Sequence, residues 1–420
     1  MIVRRIVSRV REHLSKPEIS LIVGPRQCGK TTLMRLLQDE LSKKGMKTLF
    51  FSLDNDGDRP YFESQKSLLD KIKLEVGGEK VYVFIDEIQR KENAGLFLKG
   101  IYDRGLGYKL IVSGSGSLEL KEKIHESLAG RKRGFEMGTG EFFELVDFRT
   151  NYSYEKKIND FFKIDSGIAF NYLNEYLSFG GYPKVVLAET ESEKQQVMAE
   201  IYESYLVKDI SYLLKIKKME SLTALVRMLA AQAGGMVNVS ELSSTLGLAM
   251  DTVNNYLWYL EKTFIVKKVT PFFRNLRKEI TKTPIYYFCD LGMRNYAMRK
   301  FGKVDVNLVD GHLFENYVYL QLMNLKGEQS SVHYWRTQDK AEVDFVIDQG
   351  EVIIPVEVKL SWLESPKVTR SLRSFLDRYK PKKAYVVHLG GLMEEEIGET
   401  LVEFIPYYDL GTRIVDVGLK

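Results

Sequence analysis

Cysteine is scarce, with only Cys28 and Cys289 in 420 residues. So distant a pair builds no disulfide framework and no Cys-x-x-Cys metal site, which fits a reducing cytoplasm. The five histidines (His13, His125, His312, His333 and His388) are scattered without metal-ligand spacing, which argues against a zinc site. Excess charge is lacking too: 61 basic against 57 acidic residues leave +4. That balance neither demands nor excludes a nucleic-acid partner, so local patches must decide. No apolar run reaches the length of a membrane span, and no membrane partner is expected. The basic start, Met1 to Val10, lacks a signal peptide's continuous apolar core. Its apolar residues recur at Ile2, Ile6, Val10 and at Val3, Val7, Leu14, a spacing that predicts a helix packed on the first domain.

The chain is otherwise ordinary: 44% hydrophobic and 28% charged residues describe a soluble globular protein. Its length allows two to four domains with ample core. The most specific stretch is Gly24-Pro25-Arg26-Gln27-Cys28-Gly29-Lys30-Thr31-Thr32, which follows the apolar run Leu21-Ile22-Val23 and precedes helical spacing at Leu33, Leu36 and Leu37. Strand, G-x-x-x-x-G-K-[ST] loop and helix make a phosphate-binding loop. The glycines let backbone N–H groups turn in around a polyphosphate, and the helix start adds its positive dipole end. Lys30 is expected to reach the β- and γ-phosphates of ATP, and Thr31 to offer its hydroxyl to Mg²⁺.

Further strands follow at Lys47–Leu53 and Val81–Glu87, the second ending in two carboxylates. Uninterrupted apolar strands suit a parallel sheet covered on both faces. Asp86 would hold the Mg²⁺ water shell and Glu87 would polarise the attacking water. After the strand Lys109–Val112 comes Ser113-Gly114-Ser115-Gly116-Ser117, either a γ-phosphate sensor or a plain serine-glycine loop. Arg131, in Ser127-Leu128-Ala129-Gly130-Arg131, is either an arginine finger acting at a neighbouring subunit or part of a solvated basic turn.

These motifs, with Phe84–Gln89 (F-I-D-E-I-Q) and Phe179–Pro183 (F-G-G-Y-P), resemble prokaryotic AAA+ P-loop ATPases whose chains continue into a restriction-endonuclease-like domain. The resemblance implies that Asn55 couples ligand state to Glu87, that Ser113 or Ser115 is the sensor, and that Arg131 is the finger. The segment Arg133–Gly140 departs from it, being richer in glycine than the expected proline-leucine stretch.

Residues 141–210 read as aromatic-rich helices, broken at Gly180-Gly181-Tyr182-Pro183, with the aromatics in the core. From Ser221 the pattern is helix, helix, turn, helix and hairpin, the order of a winged helix-turn-helix. Ser240 and Asp251 are the expected helix caps. Lys267, Lys268, Arg274, Arg277, Lys278 and Lys282 crowd the hairpin against Glu279 alone, a patch able to neutralise phosphates. Asn254 and Asn255 are candidates to read bases. Winged helices also serve as plain packing modules.

In the last segment Glu315 shares a helix face with Val318, Tyr319 and Leu322, and a carboxylate there needs a partner or a task. A hairpin follows. If it closes over Gln349-Gly350, Asp344 lies opposite Pro355 and diagonal to Glu357, so Asp344, Glu357 and Lys359 converge with Glu315. Such a set suits Mg²⁺-assisted phosphodiester cleavage, with the acids on the metal and the lysine steadying nucleophile or developing charge. Salt bridges at a strand edge would use the same residues. The spacing D-x₁₂-E-x-K is similar to the PD-(D/E)XK nuclease signature, with Val343-Asp344 in place of Pro-Asp; Lys367 and Arg370 then resemble its accessory basic residues.

The expected fold is multi-domain α/β. It comprises a P-loop ASCE/AAA+ parallel sheet (1–140), a helical lid or linker (141–210), a winged helix (211–300) and a C-terminal α/β restriction-endonuclease-like domain (301–420). The expected function is a cytoplasmic, ATP- and Mg²⁺-dependent ATPase that couples hydrolysis to binding or processing duplex or branched DNA, in a homo-oligomer if Arg131 acts in trans. The alternative is a nucleotide-controlled protein-binding switch or scaffold with an inactive nuclease-like domain.

Overall fold

The computed structural model describes residues 2–77, 79–115, 127–205, 219–273, 283–304, 311–325, 327 and 329–415. Gly116, Ser117 and the hairpin residues Arg274, Arg277, Lys278, Glu279 and Lys282 lie outside them. The chain divides into two compact units. The first comprises Met1–Phe148, Gly181–Ile216 and Leu257–Ile265; the second comprises Arg149–Gly180, Lys217–Tyr256 and Val266–Lys420.

The first unit is built on a parallel sheet. Strands β1 (Ile19–Gly24), β2 (Lys47–Ser52), β3 (Val81–Asp86), β4 (Lys109–Ser115) and β5 (Lys132–Glu136) lie in the order β2-β3-β4-β1-β5. Alternation along each strand feeds two cores. Leu21, Val83, Ile85 and Val112 face one side, with helices α3 (Gln65–Val76) and α4 (Ala94–Tyr102). Ile22, Phe84 and Ile111 face the other, with α1 (Ile6–His13) and α2 (Lys30–Lys43). Burial on both faces is why the apolar runs of β1, β3 and β4 are unbroken, whereas β5, half exposed at the sheet edge, carries none. The expected N-terminal helix is α1, and its Val7 and Val10 are buried in the second core.

The glycine-rich segment after Arg131 is β5, which pairs in parallel with β1 from Ile19↔Lys132 to Val23↔Glu136. Beyond it the Met137 N–H donates to the Val23 carbonyl at 2.8 Å. Of its glycines, Gly140 serves a close approach, while Gly134 and Gly138 face open space. The Gly140 N–H donates to the Gly181 carbonyl at 2.6 Å. A Cβ on Gly181 would stand 2.0 Å from the Gly140 carbonyl oxygen.

The second unit holds a mixed six-stranded sheet, β12-β13-β11-β10-β9-β8, and a separate antiparallel pair, β6 (Val266–Val269) with β7 (Ile285–Phe288). In the sheet β8 is Ser331–Arg336, β9 Glu342–Asp348, β10 Ile353–Val358, β11 Lys383–His388, β12 Met393–Ile397 and β13 Thr400–Pro406. The helix Arg370–Tyr379 bridges β10 and β11 and sends Leu372, Phe375 and Leu376 into a core with Trp335, Val346, Val386 and Phe404. Of the aromatics expected in the core, Phe142, Phe161, Phe162 and Tyr176 are buried, while Phe143 and Tyr172 are half-buried.

Helices Met219–Ala231, Val239–Leu246 and Met250–Lys262 precede β6 in the expected order. Their caps differ from expectation. Asn238 caps the middle helix, accepting from the Ser240 N–H at 2.9 Å, while Ser240 lies within the first turn. Asp251 also lies inside its helix, which begins at Met250. No helix among the described residues is long and apolar enough to cross a membrane.

The Gly140–Gly181 contact gives a direct test. Gly181→Ala should lower unfolding stability by about 1–3 kcal/mol through overpacking against backbone that cannot yield. Thermal unfolding measures it, and an unchanged midpoint would refute the close approach.

Candidate nucleotide site and carboxylate cluster

In the first unit the loop leaves β1 at Gly24 and turns into α2 at Lys30. Gln27 and Gly29 take positive φ, 59° and 102°, which turn the chain sharply before the helix. A Cβ on Gly24 would stand 2.0 Å from the Met137 carbonyl oxygen, so only glycine can end β1 here. Lys30 is buried, and its ammonium donates to the Gly24 and Pro25 carbonyls at 3.1 and 2.7 Å. Pro25 and Cys28 are buried, Arg26 and Gln27 half-buried, and Thr31 and Thr32 exposed.

Because β4 lies between β1 and β3, the ends of all three strands meet at this loop. Thr31 Oγ1 donates to Asp86 Oδ2 at 2.6 Å, across 55 positions of sequence. Hydroxyl and carboxylate oxygens at that separation are a donor set suited to a hard divalent cation such as Mg²⁺. Ser113 is fully buried and its hydroxyl donates to Asp86 Oδ1, while the Glu87 N–H donates to Ser113 Oγ at 3.4 Å. Ser113 therefore orients Asp86. Glu87 stands just past β3 with a left-handed φ of 57°, which swings its side chain off the strand direction. Its carboxylate accepts from the Gln89 amide, whose oxygen accepts from the Ser115 N–H at 3.3 Å. Gln89 went unassigned in the sequence although it closes the F-I-D-E-I-Q motif.

Two candidates lie elsewhere. Asn55 is exposed and caps its own turn, accepting from the Gly57 N–H at 3.1 Å; no hydrogen bond joins it to Glu87. Arg131 pairs with Asp103 at 2.6 Å, and its carbonyl accepts from the Ile19 N–H. It thus lies at the start of β1, about 17 Å of strand from the phosphate loop at roughly 3.3 Å per residue. It has no role at the loop of its own chain.

In the second unit Glu315, Asp344, Glu357 and Lys359 do converge, but by another register. Ile353 pairs with Asp348 and Pro355 with Val346, which leaves four residues in the turn and sets Asp344 across from Glu357 rather than Pro355. The Gln349 N–H to Val352 carbonyl bond, 2.9 Å, closes that wider loop. Asp344 Oδ2 accepts from the Val358 N–H at 2.7 Å. Glu357 is buried, paired with Lys359 at 2.7 Å and accepting from Thr369 Oγ1 at 2.9 Å. Glu315 accepts from the Tyr287 hydroxyl and stands 3.1 Å from His312 Nδ1.

Burial, with the charges of Glu315 and Glu357, pushes Asp344 well above the usual carboxylate range; the Val358 N–H opposes it. Burial pulls the Lys359 ammonium down, but Glu357, Asp344 and Glu315 outweigh that and raise it. Burial and the Glu315 charge hold Tyr287 in its neutral, donating form. Tyr287 sits on β7, in a stretch read as the wing of the preceding segment, so only the fold reveals it. Among the described residues no three His, Cys, Asp or Glu side chains are grouped to hold a metal as they stand. Of the other candidates, Lys367 is exposed in the loop before the helix, Arg370 is that helix's exposed first residue, and Asn254 and Asn255 are exposed.

Residues 16–146 match the family model described as "AAA domain". Over this stretch the chain is similar to the AAA domain family. Residues 171–304 and 310–410 match two models described as domains of unknown function, DUF8612 and DUF4143. Among curated relatives, an uncharacterized protein of Haemophilus influenzae is 24% identical over 86% of this chain and 87% of its own. Uncharacterized protein MJ1544 of Methanocaldococcus jannaschii is 25% identical over 93% and 87%. The chain is also similar to two solved structures. Aeropyrum pernix ORC1 in complex with DNA shows 14% identity over 71% of this chain and 93% of that one, with a TM-score of 0.31. The replication initiator DnaA bound to AMPPCP and single-stranded DNA shows 14% over 62% and 90%, with a TM-score of 0.29. Overlaps that low carry no argument. The likeness to the AAA family rests on that family model, beside the strand order and loop described above.

The raised Asp344 has a thermodynamic consequence. Above its ordinary value of 3.8 the folded state binds more protons than the unfolded one, so stability falls as pH rises from there. Asp344→Asn in EDTA should therefore be more stable than wild type at neutral pH, by about 0.5–2 kcal/mol. The gap should shrink as pH falls toward 4. Thermal unfolding across pH checks it; a variant less stable than wild type at pH 7 would contradict it.

Proposed function

We propose that this chain is an ATPase that hydrolyses ATP at its AAA domain and uses the nucleotide state to govern DNA binding or processing by its second unit. The observation that carries this reading is the 2.6 Å contact between Thr31 and Asp86 at the mouth of the parallel sheet, beside the buried Lys30. Lys30 can exchange its two carbonyl partners for the β- and γ-phosphates at little structural cost, because ligand oxygens replace protein oxygens. Thr31 and Asp86 would hold Mg²⁺, which when bound neutralises charge on the phosphates. Glu87, aimed by Gln89, takes the proton of the attacking water. Arg131 serves a neighbouring copy of the chain, and a homo-oligomer follows from that role.

For the second unit, helix Gly311–Leu325, β8, β9, β10, helix Arg370–Tyr379 and β11 run in the order of a restriction-endonuclease-like core. Glu315, Asp344, Glu357 and Lys359 meet on it. This supports a Mg²⁺-dependent phosphodiesterase site preceded by a winged helix, in a cytoplasmic protein. A second reading is favoured by the engagement of Glu315 with Tyr287 and His312 and of Glu357 with Lys359 and Thr369. In that reading the cluster is closed, and the unit binds a partner without cutting.

Glu87→Gln should lower ATP turnover by about 10²-fold or more while retaining nucleotide affinity; full turnover removes Glu87 as the base. Binding to duplex and branched DNA should weaken steeply with salt, and no binding at low salt would favour the protein-binding switch. If wild type cleaves DNA with Mg²⁺ or Mn²⁺, Asp344→Ala should abolish that cleavage. Binding without cleavage by the wild type would support the closed cluster.

A further inference from the structure

Arg4 precedes α1, in a segment that sequence reading assigned only to packing. Its side chain is 8% exposed, yet it carries four hydrogen bonds. Nε donates to Glu144 Oε2 at 2.7 Å, Nη1 to the Cys28 carbonyl at 2.7 Å, and Nη2 to the Gly138 and Thr139 carbonyls at 3.0 and 2.8 Å. Glu144, 1% exposed, also accepts from the Arg5 and Glu141 N–H groups at 2.6 and 3.0 Å. At the other end of α1, Arg11 pairs with Glu40 of α2 at 2.8 Å. The N-terminal segment is thus fastened at one end to the phosphate loop and at the other to the helix that follows it.

The Cys28 carbonyl belongs to the peptide that contains the Gly29 N–H. In a trans peptide these two groups point in opposite directions. Holding the carbonyl with a guanidinium therefore aims the Gly29 N–H away from Arg4. A loop that binds an anion through its N–H groups needs its carbonyls turned away and satisfied elsewhere. Lys30 satisfies Gly24 and Pro25 but must leave them to reach phosphate, whereas the bond from Arg4 does not compete with the ligand.

We propose that Arg4, held in place by Glu144, is a positioning residue for the phosphate loop, fixing the Cys28–Gly29 peptide in its anion-binding orientation before nucleotide arrives. This rests on the nucleotide-binding reading of the loop. Arginine suits the role because its planar fork reaches several acceptors at once, which an ammonium on a flexible stem does not.

The test separates this role from simple charge neutralisation. Arg4→Met alone leaves Glu144 buried and unpaired, and should lower the unfolding midpoint and nucleotide affinity together. The double variant Arg4→Met/Glu144→Gln removes both charges. Its midpoint should recover toward that of wild type, while calorimetric affinity for Mg²⁺-AMPPCP stays about tenfold or more weaker. A double variant that binds AMPPCP within about twofold of wild type overturns the proposal and leaves the ATPase reading intact. Arg4→Lys, which keeps the charge pair, provides a second measure: wild-type stability with weakened binding supports positioning, and wild-type binding refutes it. Failure of the wild type to bind AMPPCP, with Lys30→Ala as control, would remove both readings.

Discussion

The first unit depends on β1 being held on both sides. β4 and β5 pair with it along its length, and its last residue touches the Met137 backbone so closely that a side chain there is excluded. The phosphate loop thus starts from a fixed point, with Asp86 one strand beyond β4. Without that clamp the short contact between Thr31 and Asp86 would have to be built from a mobile loop, at the entropic cost of ordering several residues.

The two candidate sites solve opposite electrostatic problems. In the first unit a buried ammonium, that of Lys30, is satisfied by two neutral carbonyls. In the second unit three carboxylates share one ammonium, and burial together with that deficit raises Asp344. An anion would complement the first; a proton or a cation would relieve the second.

What was legible in the sequence was what local chemistry demands. The loop needs glycine, lysine and threonine at fixed offsets, and two-sided burial needs apolar strands, so both are legible in the chain itself. Long-range geometry was not. Arg4 meets Cys28, Gly138, Thr139 and Glu144, partners up to 140 positions away, and no spacing rule connects them. The hairpin register failed because turn length cannot be read from Asp348-Gln349-Gly350-Glu351 alone, and a shift of two residues keeps the same faces while changing every opposite pair. Ser240 lost the cap to Asn238 because two capping residues stood two positions apart and either can accept from the first turn. Of the glycines in 133–140, Gly140 owes its place to a contact with Gly181, which no local pattern announces.

Neither unit is a single length of chain. Each is assembled from three segments, so the six segments are joined by five passages from one unit to the other. Cutting the gene at any one point would divide the segments of at least one unit between the two products. The molecule is not a string of beads to be expressed one at a time, and a fragment ending before Gly181 would lack the carbonyl that accepts from the Gly140 N–H.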